Sequence, residues 1–456
     1  MEKRRKMLSG KEMEEEIASA VNAIPEIVRN LTRRNEEEQR EAIRLIKRIL
    51  NMTNPPIDKL LQEPLLEYIG PLYKQTHKDM QYDLFWIIHN LSIGDEIEVK
   101  PLLETYFLEE ALDIISVPET KEARFVDLAL SFIGNICCTD SEIMIAKGVI
   151  PPLIKLTNYQ NELRKDVRIR MYVAWITSRI TKAQAKDRNI INQFLPIIET
   201  CIYDEDTQIQ SDATWSVHYI CAASEHGIQM VLETSITKQL VSLMMHPEET
   251  ISLPALKALG DIVRGNDYQT QQVINVGFIN ALIPLIHKAK VPSMISELCW
   301  ILGNLTAGDI NQTEEVLKTN MIPTIIQFLR NANKMDIKID AAYVFANILQ
   351  HHHIPFTTYL IQQNLMDVFS ELLTSTSIKL LKIILDSLYD ILMVGDKMAL
   401  HNHITNQYAQ YMIDKQIVDK IEYLLYHDNI DVQGAAKRLL HHYFTADEED
   451  DELMMN

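Results

Sequence analysis

The sequence predicts an all-α chain built as a solenoid of repeated helical units, and three observations carry that reading. One register position recurs through Asn90, Asn135, Arg179, Tyr219, Asp261, Asn304, Asn347 and Asp390, at intervals of 45, 44, 40, 42, 43, 43 and 43 residues by subtraction. Around it, apolar residues follow helical spacing, as in Glu297-Leu-Cys-Trp-Ile-Leu-Gly-Asn304, where Trp300 and Asn304 lie one turn apart on one face and Gly308 offers a stop. Gly is scarce at 13 residues, 47% of the chain is hydrophobic and Val-Thr alternation is rare, which leaves little material for strands.

A period of this size belongs to HEAT or armadillo arrays, and not to propellers, ankyrin repeats or leucine-rich repeats. Because such an array grows by stacking units on one another, all 456 residues fit one elongated domain. The expected organisation is a short basic tail over 1–12, a solenoid over 13–445 and an acidic tail over 446–456, the last a run of like charges.

Taken in order, Glu14 to about Asn51 is amphipathic and ends at Asn54-Pro-Pro56, forming a capping unit. Leu60 to Tyr73 and Met80 to Leu91 read as two helices divided by Thr76-His-Lys-Asp79. Later repeats share a turn followed by an apolar helix: Gly148-Val-Ile-Pro-Pro-Leu-Ile-Lys-Leu156, Gly277-Phe-Ile-Asn-Ala-Leu-Ile-Pro-Leu285 and Asn320-Met-Ile-Pro-Thr-Ile-Ile-Gln-Phe-Leu329. Gly or Asn supplies the turn, and in two of the three a Pro falls in the first helical turn, where its missing N–H costs little. A polar loop then leads to a longer helix carrying the register position. The last unit spans about Ile417 to Phe444.

A net charge of −19 is too acidic for a nucleic-acid binder and favours basic partners. Five Cys without metal-ligand spacing and no secretory signal point to a reducing compartment, with Cys137-Cys138 read as core or near-core. No apolar run is long and charge-free enough to span a bilayer. The successive histidines His351-His-His353 diverge by about 100° per residue on a helix end, and no Cys, Asp or Glu completes a zinc set, so a surface or loop-edge cluster is expected; His441-His442 reads alike. There is no phosphate loop, nucleophile elbow or supported carboxylate pair, so neither catalysis nor a cofactor is expected.

Stacked repeats align equivalent positions into a continuous groove. An Asn amide there offers both donor and acceptor to an extended peptide backbone. One turn earlier stand Trp86, Trp175, Trp215 and Trp300, which are all four tryptophans of the chain, and Tyr343. Alternating indoles and amides would form slots for Lys or Arg stems and heads, each worth about 0.5–2 kcal/mol of cation–π attraction. Glu297 and Asp340, each three before the aromatic, would draw the same cations. The expected ligand is an extended basic peptide.

On these residues the chain resembles the importin-α family, armadillo-repeat adaptors for nuclear localisation signals, over roughly residues 50–450. The ordered ladder carries the likeness, together with Tyr219 at a position where the family also has Tyr, the string Pro254-Ala-Leu-Lys-Ala-Leu-Gly-Asp-Ile-Val-Arg-Gly-Asn-Asp-Tyr-Gln-Thr-Gln-Gln-Val-Ile274, and Tyr443-Phe444 before an acidic tail. The resemblance implies a right-handed superhelical solenoid of about ten armadillo repeats. It implies a minor groove formed by Asp267, Glu297, Trp300, Asn304, Asp340, Tyr343 and Asn347, with Tyr343 in place of Trp. It also implies a major groove retaining Trp86, Asn90, Gly94, Asn135, Trp175, Trp215 and Tyr219 but degraded elsewhere. Ser131 replaces a Trp, Arg179 an Asn, Val99 a Thr and Thr139 the aspartate that receives a key lysine, for which Asp140 is the adjacent substitute.

Implied partners are basic localisation-signal cargo and, towards the C-terminus, the receptor that exports the family. Only Met1-Glu-Lys-Arg-Arg-Lys6 stands where the family has its long importin-β-binding segment, which implies weakened importin-β recruitment and no autoinhibition. Two functions stay open: an import adaptor moving between cytoplasm and nucleus, or an armadillo interaction scaffold outside importin-β-dependent transport.

Overall fold

The computed structural model describes residues 10–157 and 165–444, so the basic run Met1–Lys6 and the acidic tail 446–456 lie outside the described residues. Every regular element among the described residues is helical. Two compact units divide the chain, Met1–Ala223 and Ser224–Asn456.

Within the first unit, the long helices Glu36–Leu50, Lys78–Leu91, Ala123–Thr139, Val167–Gln184 and Thr207–Ala223 pack side by side in chain order. Within the second, Glu249–Val263, Pro292–Ala307, Met335–Gln350, Ile378–Asn402 and Ile430–Tyr443 do the same. Each register position therefore sits on a long helix flanked by its sequence neighbours. Shorter helices such as Ile150–Thr157, Phe278–Lys288 and Ile322–Asn331 occupy the places the turn-and-helix pattern predicts.

Local chemistry explains the boundaries. Gly148 and Gly277 take left-handed φ values of 85° and 92°, a conformation that Gly adopts without a Cβ penalty. Asn320 does not supply a left-handed turn; there the Thr319 hydroxyl accepts the Met321 N–H, while Asn364 holds a positive φ of 62° one repeat later. Reciprocal capping boxes open two short helices, Asp95 with Glu98 and Asn266 with Gln269, satisfying backbone N–H groups that have no intrahelical partner. Asp309, Ser377 and Asn429 cap the starts of later helices.

The segment read as one helix from Leu60 to Tyr73 is two, Ile57–Gln62 and Leu65–Gln75. Glu63 is driven to ψ 159° by the following Pro64, because the pyrrolidine ring crowds the preceding residue out of helical geometry. The next helix starts at Lys78, two residues before Met80, since the His77 ring accepts the Met80 N–H and caps it.

The interior is aliphatic with a few aromatic anchors. Phe85 lies 5.6 Å from Phe107 and 5.8 Å from Phe132, joining successive repeats of the first unit through one buried cluster. Cys137 is buried as expected, but the adjacent Cys138 is exposed, because one residue along a helix turns the side chain by about 100°.

Candidate functional site

In the second unit, Glu297, Trp300 and Asn304 share a face of helix Pro292–Ala307, and Asp340, Tyr343 and Asn347 repeat that face on the adjoining helix Met335–Gln350. Trp300 is half-buried because it lies over Gly260 of the preceding repeat, where an added Cβ would stand 2.8 Å from the indole. The glycine just before the register position is thus a seat for the next aromatic. Tyr343 is 39% exposed, and at the equivalent Gly303 an added Cβ would meet open space.

The carboxylates are engaged with local donors. Glu297 pairs with Lys257 at 3.1 Å, and Asp340 accepts a short hydrogen bond from the Ser296 hydroxyl. Burial pushes Asp340 above the usual aspartate range against the pull of Ser296 and Lys379. The Lys379 ammonium lies 5.2 Å from the Tyr343 ring centre, so the chain's own cation stands at the edge of that slot.

The amides are less free than their spacing suggests. Asn347 donates to the Gly303 carbonyl at 2.8 Å, tying one repeat to the next. By contrast, the Asn304 Nδ2 is buried without a hydrogen-bond partner among the described residues. Such an orphan donor carries a desolvation cost of about 1–3 kcal/mol, which an accepting ligand carbonyl would offset. Asp267 opens the helix Asp267–Asn275 and is exposed.

Beyond Asn347, a cavity of about 520 Å³ continues over helix Ile378–Asn402, lined by Tyr343, Asn347, Lys379, Lys382, Asp386 and Asp390. His352 meets Asp390 at 2.9 Å, and His351 contacts Thr313 at 3.0 Å. The histidine triplet thus occupies the loop between helices Met335–Gln350 and Ile354–Gln362, at the edge expected, and is half-buried there with two rings reaching neighbouring repeats. His442 is likewise engaged, packing edge-on to Tyr389 at 5.6 Å. No cluster of potential metal ligands occurs among the described residues. No described helix is long and apolar enough to cross a membrane.

The ladder of the first unit is more compromised. Lys47 covers Trp86 at 5.0 Å while pairing with Asp83 at 2.5 Å. Asn90 donates to its own helix at the Trp86 carbonyl, 2.7 Å away, and Asn135 donates to the Ser92 hydroxyl at 3.0 Å. Ser131, in the place of an aromatic, meets the His89 ring at 2.8 Å; burial pulls that imidazole down to about 4, so it is neutral near pH 7.

Further along, Trp175 lies hard against Gly134, and Trp215 stacks on Tyr219 with centroids 5.8 Å apart. Asp140 accepts the Ile143 N–H at 3.1 Å as a helix cap, so one of its oxygens serves the backbone. Gly94 lies in the turn after helix Lys78–Leu91, closed over by the Glu98 side chain, and Val99 is buried.

Sequence reasoning missed Lys47, Lys182 and Lys379, whose ammonium groups face Trp86, Tyr219 and Tyr343, and it missed the glycine seats. The seats had a signal in the Gly134-Asn135 and Gly260-Asp261 pairs, a pattern that Gly303-Asn304 repeats without an aromatic packed on it.

The geometry defines an armadillo-type repeat protein with a polar and aromatic ladder. Residues 266–307 match the armadillo/beta-catenin-like repeat family. A solved engineered protein shares the fold at a TM-score of 0.76, with 18% identity over 93% of this chain and 100% of that one. Importin subunit alpha-1b of Oryza sativa subsp. japonica is 26% identical over 94% of this chain and 80% of its own length. Importin subunit alpha-3 of Arabidopsis thaliana is 27% identical over 94% and 81%, respectively. Over nearly its whole length the chain is thus similar to importin-α proteins, and one segment matches an armadillo repeat.

Proposed function

We propose that this protein is a nuclear import adaptor, working in cytoplasm and nucleus without catalysis of its own, and that it holds basic localisation peptides along the ladder of its second unit. The observation that carries the reading is the repeated face Glu297, Trp300, Asn304 and Asp340, Tyr343, Asn347, with the unpaired Asn304 donor at its centre. Aromatic walls take the aliphatic stems of Lys or Arg, carboxylates draw their heads, and amides take the peptide backbone. Asp267 extends the acidic margin. The ladder of the first unit, Trp86, Asn90, Gly94, Asn135, Asp140, Trp175, Trp215 and Tyr219, is the weaker site for such ligands because Arg179 sets a fixed cation at one of its register positions and Ser131 stands in place of an aromatic.

Importin-β and the export receptor of the family are the proposed transport partners. The second reading, an armadillo scaffold outside transport, draws on Ser131, Thr139 and Arg179, which remove an aromatic, a carboxylate and an amide from the first ladder.

Permeabilised cells supplied with importin-β, energy and a fluorescent protein bearing a basic localisation peptide separate the two. Nuclear accumulation that depends on this chain supports the adaptor. Peptide binding without any accumulation supports the scaffold.

A further inference from the structure

Arg179 places a fixed positive charge at a ladder position where a basic ligand residue would be repelled. It lies half-buried on helix Val167–Gln184, and its Nε is fully buried with no hydrogen-bond partner among the described residues. One turn later the exposed Lys182 holds its ammonium 5.9 Å from the Tyr219 ring, so two cations line one stretch of the face.

The neighbouring helices do not neutralise them. From Ala123–Thr139 come Asn135, bonded to Ser92, with Thr139 and the exposed Cys138, whose thiol feels both cations through space. From Thr207–Ala223 comes Asp212, buried and receiving the Gln208 amide at 3.2 Å; it feels Arg179 through space, but no described carboxylate lies within ion-pair distance of that guanidinium. Trp175 stands one turn before Arg179 on the same helix and Trp215 holds the equivalent place on helix Thr207–Ala223, at the positions that wall the other slots.

A desolvated cation without a counter-charge is unfavourable, and a guanidinium fork matches the two oxygens of a carboxylate or phosphoryl group. We propose that the ladder of the first unit selects an extended peptide bearing an anionic side chain, carboxylate or phosphoryl, at the Arg179–Lys182 position. The inference rests on the ladder being a peptide groove. It gives the two units opposite charge preferences, with basic side chains read in the second and an acidic or phosphorylated one in the first.

The test uses the full chain carrying Trp300→Ala/Asn304→Ala to silence the second ladder, with folding checked by circular dichroism. Labelled peptides of one background sequence are scanned with Lys, Glu or phosphoserine at each position, at physiological salt, and read by fluorescence anisotropy. At one position Glu or phosphoserine is expected to bind about ten-fold tighter than Lys, with Arg179→Asn reversing that order. A gain confined to phosphoserine assigns a phosphoryl ligand, and equal gains assign a carboxylate. Lys preferred at every position, or an order unchanged by Arg179→Asn, overturns the proposal. Binding lost for every peptide in the silenced chain, while the unaltered protein still binds, overturns it and leaves the second-unit reading intact.

Discussion

Replacing Asp340 by asparagine is expected to raise the unfolding temperature near neutral pH while weakening the hold on a basic peptide by about ten- to a hundred-fold, the equivalent of one charged hydrogen bond. Burial is the main cause of its raised pKa, with Ser296 and Lys379 opposing it. A carboxyl whose folded pKa exceeds its unfolded value stabilises the fold below the unfolded pKa, and that contribution is lost as pH rises through the folded one. At neutral pH the ionised group therefore works against folding, and asparagine removes that cost while keeping an acceptor for the Ser296 hydroxyl. Thermal unfolding at pH 7.5 and pH 4, beside peptide titrations, checks both halves. The stability gain should shrink at the lower pH, and a lower unfolding temperature at pH 7.5 would contradict the account. The binding loss follows because only the carboxylate offers the full charge a lysine or arginine head requires.

Two glycines in equivalent places are expected to respond with opposite signs. At Gly134 an added Cβ would lie 1.9 Å from a ring carbon of Trp175, so Gly134→Ala should destabilise by about 1–3 kcal/mol, the usual range for overpacking, and shift the tryptophan emission. At Gly303 nothing lies within 4 Å of the same site, so Gly303→Ala should stabilise by about 0.5–1 kcal/mol through reduced backbone freedom in the unfolded chain. The difference traces to the aromatic of the following repeat, a large indole at Trp175 and a smaller, outward ring at Tyr343. Denaturant midpoints of the two variants measure it, and a common sign would show that the glycine is not a seat.

The repeat period, the helices and the aromatic register were legible because each is written within one turn or one repeat of the chain. Trp300 and Asn304 lie one turn apart, and Gly277 and the Asn266–Gln269 box punctuate their helices within a few residues. What the ladder does with its polar groups was not legible, since it depends on side chains meeting across a whole repeat. Asn135 reaches Ser92 over 43 residues and Asn347 reaches Gly303 over 44, leaving the Asn304 donor open where spacing alone treats all three alike. Lys47 and Lys379 arrive at their aromatics in the same way, from neighbouring helices. The break at Glu63–Pro64 was readable in principle, because a proline restricts the residue before it, but the apolar run through Leu60 and Leu65 outweighed that signal.

The central claim is that the ladder of the second unit is a working site for basic peptides. Fluorescence anisotropy of a labelled basic localisation peptide at physiological salt tests it, with the unaltered chain compared against Trp300→Ala/Asn304→Ala and against Trp86→Ala/Asn90→Ala. The account predicts binding at about micromolar or tighter, as several cation–π and charged contacts together allow, that collapses in the first double variant and survives in the second. No binding by the unaltered chain, or a collapse only in the second variant, would contradict it.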